Sequence, residues 1–176
     1  MIGFDAIGVI LLGTVLFCAA TDLVTGKIYN VVTFSIIGFG FLYHSLFVNG
    51  AGVLFPSMGI VLGCALFFPF FALGGMGAGD VKLLMAIGAL KGWTFVLSTA
   101  LYSLLAGGIL SIVLLIYNGR FLKTMKLIWR LLWSLFVPHM KVEIPELKDC
   151  LMAPFGVPIL CGVVLTYFGF VELFFK

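Results

Sequence analysis

The chain has 176 residues, of which 63% are hydrophobic and only 10% charged, with a mean hydropathy of +1.28 and a formal net charge of +3. A soluble domain would carry about a quarter charged residues, so this composition excludes a water-soluble globular protein and points to the lipid bilayer as the main partner. No nucleic-acid partner is expected.

Uncharged runs cover residues 28–79, 92–119 and 150–171. Apolar stretches of 18 or more residues read as membrane-crossing helices. The expected fold is all-α: a polytopic membrane protein with six transmembrane helices and one interfacial amphipathic helix, forming a single domain over residues 1–176. The first span covers about 2–20. It has no Lys or Arg before it, as a secretory signal would, and bulky Phe17 before Cys18 argues against a lipoprotein site, so it is expected to be a retained helix. The second span covers about 29–48, ended by Asn49-Gly50, and the third about 53–73, ended by Gly74-Gly75. The fourth runs from Asp80 to about Leu90, where Lys91-Gly92 marks an edge. Its eleven residues, at about 1.5 Å each, cover roughly half a bilayer. The fifth covers about 93–117.

In the stretch 120–137, Arg120, Lys123, Lys126 and Arg130 share one arc of a helical wheel, with Trp and Leu over much of the rest. That pattern predicts a helix lying in the interface, drawn to anionic lipid. A short polar loop follows at 141–149, and the sixth span covers about 151–173. Cys18, Cys64, Cys150 and Cys161 show no C-x-x-C spacing, so neither a zinc site nor a disulfide is expected, and no cofactor.

Six spans make the loops alternate between two sides. One side collects Lys27, Lys82, Arg120, Lys123, Lys126, Arg130, Lys141 and Lys148, and the other Lys91 and Lys176. This bias predicts that the first side is cytoplasmic and that both termini face outward. It also puts Asp22 and Asp80 on that cytoplasmic side, although neither entered the count.

A carboxylate at the edge of a bilayer core is costly and marks a functional site by default. Asp22 opens Asp22-Leu23-Val24-Thr25-Gly26-Lys27-Ile28-Tyr29-Asn30, and Asp80 ends Gly77-Ala78-Gly79-Asp80. Two carboxylates close together share a proton, so one activates water while the other protonates a carbonyl oxygen. No G-x-S-x-G, H-E-x-x-H or Cys-His pair offers another route to hydrolysis. Gly74, Gly75, Gly77 and Gly79 leave room for a second backbone beside Asp80. Lys82, about 200° around the helix from Asp80, is expected to point away from the dyad, as a snorkelling lysine or a substrate contact; Lys27 reads the same way. Asn30 is either a helix cap or a positioning hydrogen bond for the Asp22 loop.

At these residues the chain resembles the type IV prepilin peptidases, aspartic proteases of the GxGD class. Gly77-Ala78-Gly79-Asp80-Val81-Lys82 matches their G-x-G-D-x-K signature, and Asp22 followed by Lys27-Ile28 and Asn30 resembles their first aspartate motif. Ala153-Pro154-Phe155-Gly156-Val157-Pro158 resembles their Pro-aromatic-Gly segment, with Val157 interrupting the usual Gly-Pro and Tyr29 standing where Pro or Ser is more usual. The resemblance implies that Asp22 and Asp80 are catalytic and that Gly77, Gly79, Lys82, Lys27, Asn30 and Pro154 bind substrate or support the site. It further implies a prepilin or pseudopilin substrate, whose basic leader is cut at the cytoplasmic face. Many members carry an added region with two C-x-x-C pairs and a methyltransferase activity; this sequence has none and resembles the peptidase-only members of Flp (tight-adherence) pilus systems. An archaeal preflagellin-type peptidase shares the same motifs. A proton-coupled transporter using both aspartates as a relay is the alternative of a different class. It predicts acids near mid-membrane on several helices.

Overall fold

The structure, a computed structural model, describes residues 6–47, 52–119, 121–122, 124–126, 129 and 154–168. Five helices are assigned: α1 Ala6–Thr25, α2 Asn30–Phe47, α3 Leu54–Ala72, α4 Ala78–Tyr117 and α5 Gly156–Tyr167. No strand occurs among the described residues, in keeping with the rule that a chain crossing lipid must satisfy its backbone within helices or a closed barrel.

The helix ends near the aspartates follow local rules. Gly26, at φ 63°, follows α1, and its N–H donates to the Asp22 carbonyl oxygen at 2.8 Å, the single bond that ends an αL-capped helix. At the end of α3, Gly74 N–H donates to the Phe71 carbonyl and Gly75 N–H to the Phe70 carbonyl, both at 2.9 Å. This is a Schellman cap, and it needs the left-handed φ of 75° that Gly74 supplies. Met76 then buries its side chain, at 8% exposed, which pins the glycine turn to the core before α4 begins.

Helix α4 is two helices in one. Gly92 sits inside it at φ 79°, ψ −177°, outside the helical region. Only glycine takes that conformation readily, and a Cβ there would collide with the Phe55 ring. The sequence pattern puts an edge at Lys91-Gly92, and the break falls there. The chain kinks there, so the expected fourth and fifth spans are the two arms of α4. The first arm, 78–91, rises about 21 Å at about 1.5 Å per residue, short of a hydrocarbon core of about 30 Å.

That first arm is the centre of the fold. Val81, Leu83, Leu84, Ala86, Ile87, Ala89 and Leu90 are all buried. Glycines bring its neighbours close. Gly59 of α3 lies against the Gly88 backbone, a methyl at Gly63 would stand 2.9 Å from the Leu84 carbonyl oxygen, and one at Gly40 of α2 would stand 2.7 Å from that of Ala89. The second arm meets α5, where Gly162 lies against Ser103 and Thr99. Helix α1 packs on α5 and α2 on α3.

Polar side chains turn inward: Thr33, His44, Thr99, Ser103 and Thr166 are buried with the two aspartates, while Val9, Leu16, Phe17, Val31, Leu42 and Val61 are exposed. The protein is a membrane protein, with apolar side chains outside and hydrogen-bonding groups inside. Four helices, α1 to α4, are long and apolar enough to cross a membrane. Among the described residues, α4 takes up the expected fourth and fifth spans, and α5 has 12 residues of the expected sixth.

The chain divides into two compact units, one of Met1–Gly107 with Pro154–Lys176 and one of Gly108–Ala153. The site described below belongs to the first. In the second, α4 continues to Tyr117, and residues 121–122, 124–126 and 129 are helical. The rest of the expected interfacial helix, with Arg120, Lys123 and Arg130, and the loop at 141–149 lie outside the described residues.

Candidate active site

Asp22 stands in the last turn of α1 and Asp80 in the first turn of α4, 58 positions apart in sequence. Both are buried, at 8% and 6% exposed. They line one pocket of about 270 Å³ together with Gly26, Lys27, Ile28, Gly77, Ala78 and Gly79. The α1–α2 loop and the glycine turn thus meet at one end of the molecule, and Asp22 is near enough for its charge to act on Asp80.

Each carboxylate is held by a backbone amide. Gly77, the residue before α4, donates its N–H to Asp80 Oδ2 at 3.1 Å, and Asp80 N–H returns a bond to the Gly77 carbonyl at 3.2 Å. This is the side-chain half of a capping box, with aspartate in the place of glutamate. Asp80 Oδ1 is buried without a hydrogen-bond partner among the described residues. Asp22 Oδ2 accepts the N–H of Gly156, the first residue of α5, at 2.8 Å and 134 positions away.

The remaining expected site residues separate into two groups. Gly77, Gly79 and Lys27 line the pocket. Gly79 makes room for the loop: a methyl there would stand 2.9 Å from Ile28 Cβ. Lys27 is exposed at the pocket edge. Lys82 and Asn30 do not line the pocket but are each other's partners. Lys82 Nζ donates to Asn30 Oδ1 at 2.9 Å and lies 5.4 Å from the Phe34 ring centroid. Lys82 points away from the dyad, as the helix geometry predicts, towards α2. The Asn30 side chain is thus tied to α4, and not to the loop that carries Asp22. Pro154 is half-buried just before α5 and makes no contact with the pocket.

Two residues appear in the sequence motifs without an assigned role. Gly156, part of the Pro-aromatic-Gly segment, holds Asp22 through a backbone amide, a contact with no side-chain signature. Ile28, part of the first aspartate motif, forms a wall of the pocket. The described residues contain no cluster of three or more His, Cys, Asp or Glu able to hold a metal. His44 is far from the dyad, in the last turn of α2, where Nδ1 lies 2.8 Å from the Gly40 carbonyl oxygen and its ring stacks on Phe55 at 5.0 Å.

A family model described as the type IV leader peptidase family matches residues 9–112. The chain belongs to that family. Neither the curated proteins nor the solved structures contain a match to it. The leader-peptidase segment holds both aspartates, the loop at 26–29, the glycine turn and both residues of the Lys82–Asn30 bond. Pro154 and Gly156 lie beyond the matched residues, so the amide that grips Asp22 comes from outside them.

Proposed function

We propose that the protein is a prepilin leader peptidase, an aspartic endopeptidase that uses Asp22 and Asp80 as a dyad. The observation that carries this reading is the shared pocket: two buried carboxylates from motifs 58 positions apart line one opening beside a glycine turn. Buried carboxylates at such a spot are costly.

The reaction follows from acid–base chemistry. The ionised member of the dyad takes a proton from a water, whose oxygen bonds to the scissile carbonyl carbon. The protonated member gives its proton to the carbonyl oxygen. The tetrahedral adduct then collapses, the C–N bond breaks, and the departing nitrogen leaves with a proton from the dyad. No covalent enzyme intermediate forms. The substrate is a prepilin or pseudopilin with a basic leader ahead of a hydrophobic helix. The helix stays in lipid while the leader junction enters the pocket as extended chain. The excess of Lys and Arg on the side of the sequence that also holds Lys27 and Lys82 supports a cytoplasmic position for the cut. A relay for proton-coupled transport finds less support, because both aspartates stand at helix ends rather than mid-helix.

The test is co-expression with a candidate prepilin. Leader loss is expected with the wild-type chain and none with Asp22→Asn or Asp80→Asn, read as a mobility shift. Processing by either variant at near-normal rate would overturn the dyad.

A further inference from the structure

The strongest unassigned feature lies at the head of α5. Gly156 donates its backbone N–H to Asp22 Oδ2 at 2.8 Å in a buried setting. A methyl at Gly156 would stand 3.0 Å from both Cβ and Oδ2 of Asp22 and 3.1 Å from the Ala19 Cα. The glycine therefore does two things: it presents an N–H, and it has no side chain to push the carboxylate away. Its neighbour explains why the amide sits there. The Phe155 ring packs edge-on against Phe67 of α3, with centroids 6.4 Å apart, and fills the space in which Gly107 of α4 would carry a side chain. Phe155 adopts the helical φ of −79° and ψ of −11° as the N-cap of α5, with no side-chain cap bond. The first amide of α5 is thus fixed by an aromatic wedge rather than by a cap.

We propose that Gly156 is a positioning residue for catalysis, holding the Asp22 carboxylate through its backbone amide, and that Phe155, wedged between Phe67 and Gly107, sets where that amide stands. The proposal rests on Asp22 being catalytic, as argued under Proposed function. It adds a requirement that lies outside the segment matching the family, residues 9–112. The physical reason is orientation. A carboxylate on a helix end has rotamer freedom, and an ångström of misplacement costs on the order of a hundredfold in rate.

The test uses the purified full chain with a prepilin that the wild type cuts. Gly156→Ala should lower kcat on the order of tenfold to a hundredfold while KM stays within about twofold. Phe155→Ala should act in the same direction. Gly107→Ala, whose new methyl meets the ring, should also lower kcat, and adding Phe155→Leu should restore a large part of it. A role in folding alone predicts something else: loss of melting temperature and of active protein, with no repair by the second substitution. Wild-type kcat in Gly156→Ala, with Asp22→Asn inactive, overturns the proposal and leaves the dyad standing. Activity in Asp22→Asn overturns both.

Discussion

Gly79 has no side chain because Ile28 occupies the place one would take. A Cβ at Gly79 would stand 2.9 Å from Ile28 Cβ, an atom that every residue but glycine carries. Shortening the side chain at position 28 does not relieve that conflict. At Gly77 the conflict is milder, 3.3 Å from Asp80 Oδ2. Gly79→Ala is therefore expected to slow leader cleavage more than Gly77→Ala, on the order of tenfold more, measured as initial rates on one prepilin. Ile28→Ala should not rescue Gly79→Ala. At this scale the sequence was legible where charge was involved. Asp22 and Asp80 announce themselves because a carboxylate among apolar residues has no cheap explanation. The grip on Asp22 was not legible, because the donor is a main-chain N–H brought 134 positions along the chain.

Between elements, one bond ties the two aspartate motifs together. Lys82 Nζ donates to Asn30 Oδ1, and the ammonium lies over Phe34, so the start of α4 is fastened to the start of α2. Lys82→Met and Asn30→Leu should each lower the cleavage rate, and the double variant should be little worse than either alone. A double-mutant cycle measures this; fully multiplied losses would mean that the two residues act separately. The break in α4 offers a stability test. Gly92→Ala places a side chain at φ 79° and against the Phe55 ring. A left-handed non-glycine residue costs about 1–3 kcal/mol before the collision is counted, so the melting temperature in detergent should fall clearly. The same change at Gly108, where a methyl meets nothing within 4 Å, serves as the control. The sequence marked the break through Lys91-Gly92, where the expected fourth span gives way to the fifth. The contacts of Gly40, Gly59 and Gly63 left no pattern, because those runs are apolar on every face and periodicity vanishes there.

At the scale of the whole molecule, the charge bias, counted on the loops between six expected spans, puts Asp22 and Asp80 on one side, and the two line one pocket. Single cysteines introduced at Lys27 and at Leu54, in a background without native cysteines, should react with an impermeant thiol reagent from opposite sides of the membrane, position 27 from the cytoplasm. Labelling of both from one side would reverse the orientation or the alternation of the helices. The number of crossings was only partly legible, because hydropathy reports where lipid is tolerated, and the first arm of α4 is largely apolar yet buried among its neighbours.

The closeness of that arm to α2 and α3 also bears on how such a protein changes over time. Where Gly59 meets Gly88 and Gly63 meets Leu84, main chain rests on main chain. A contact of that kind offers no atoms for mutation to trim or extend, and any added side chain forces helices apart. The support beneath Asp80 is therefore closed to gradual adjustment. New preferences for the cut peptide must arise at the rim, in the exposed residues of the 26–29 loop and in the side chains that face outward beside it. Diversification at the mouth and immobility at the floor are two results of the same packing.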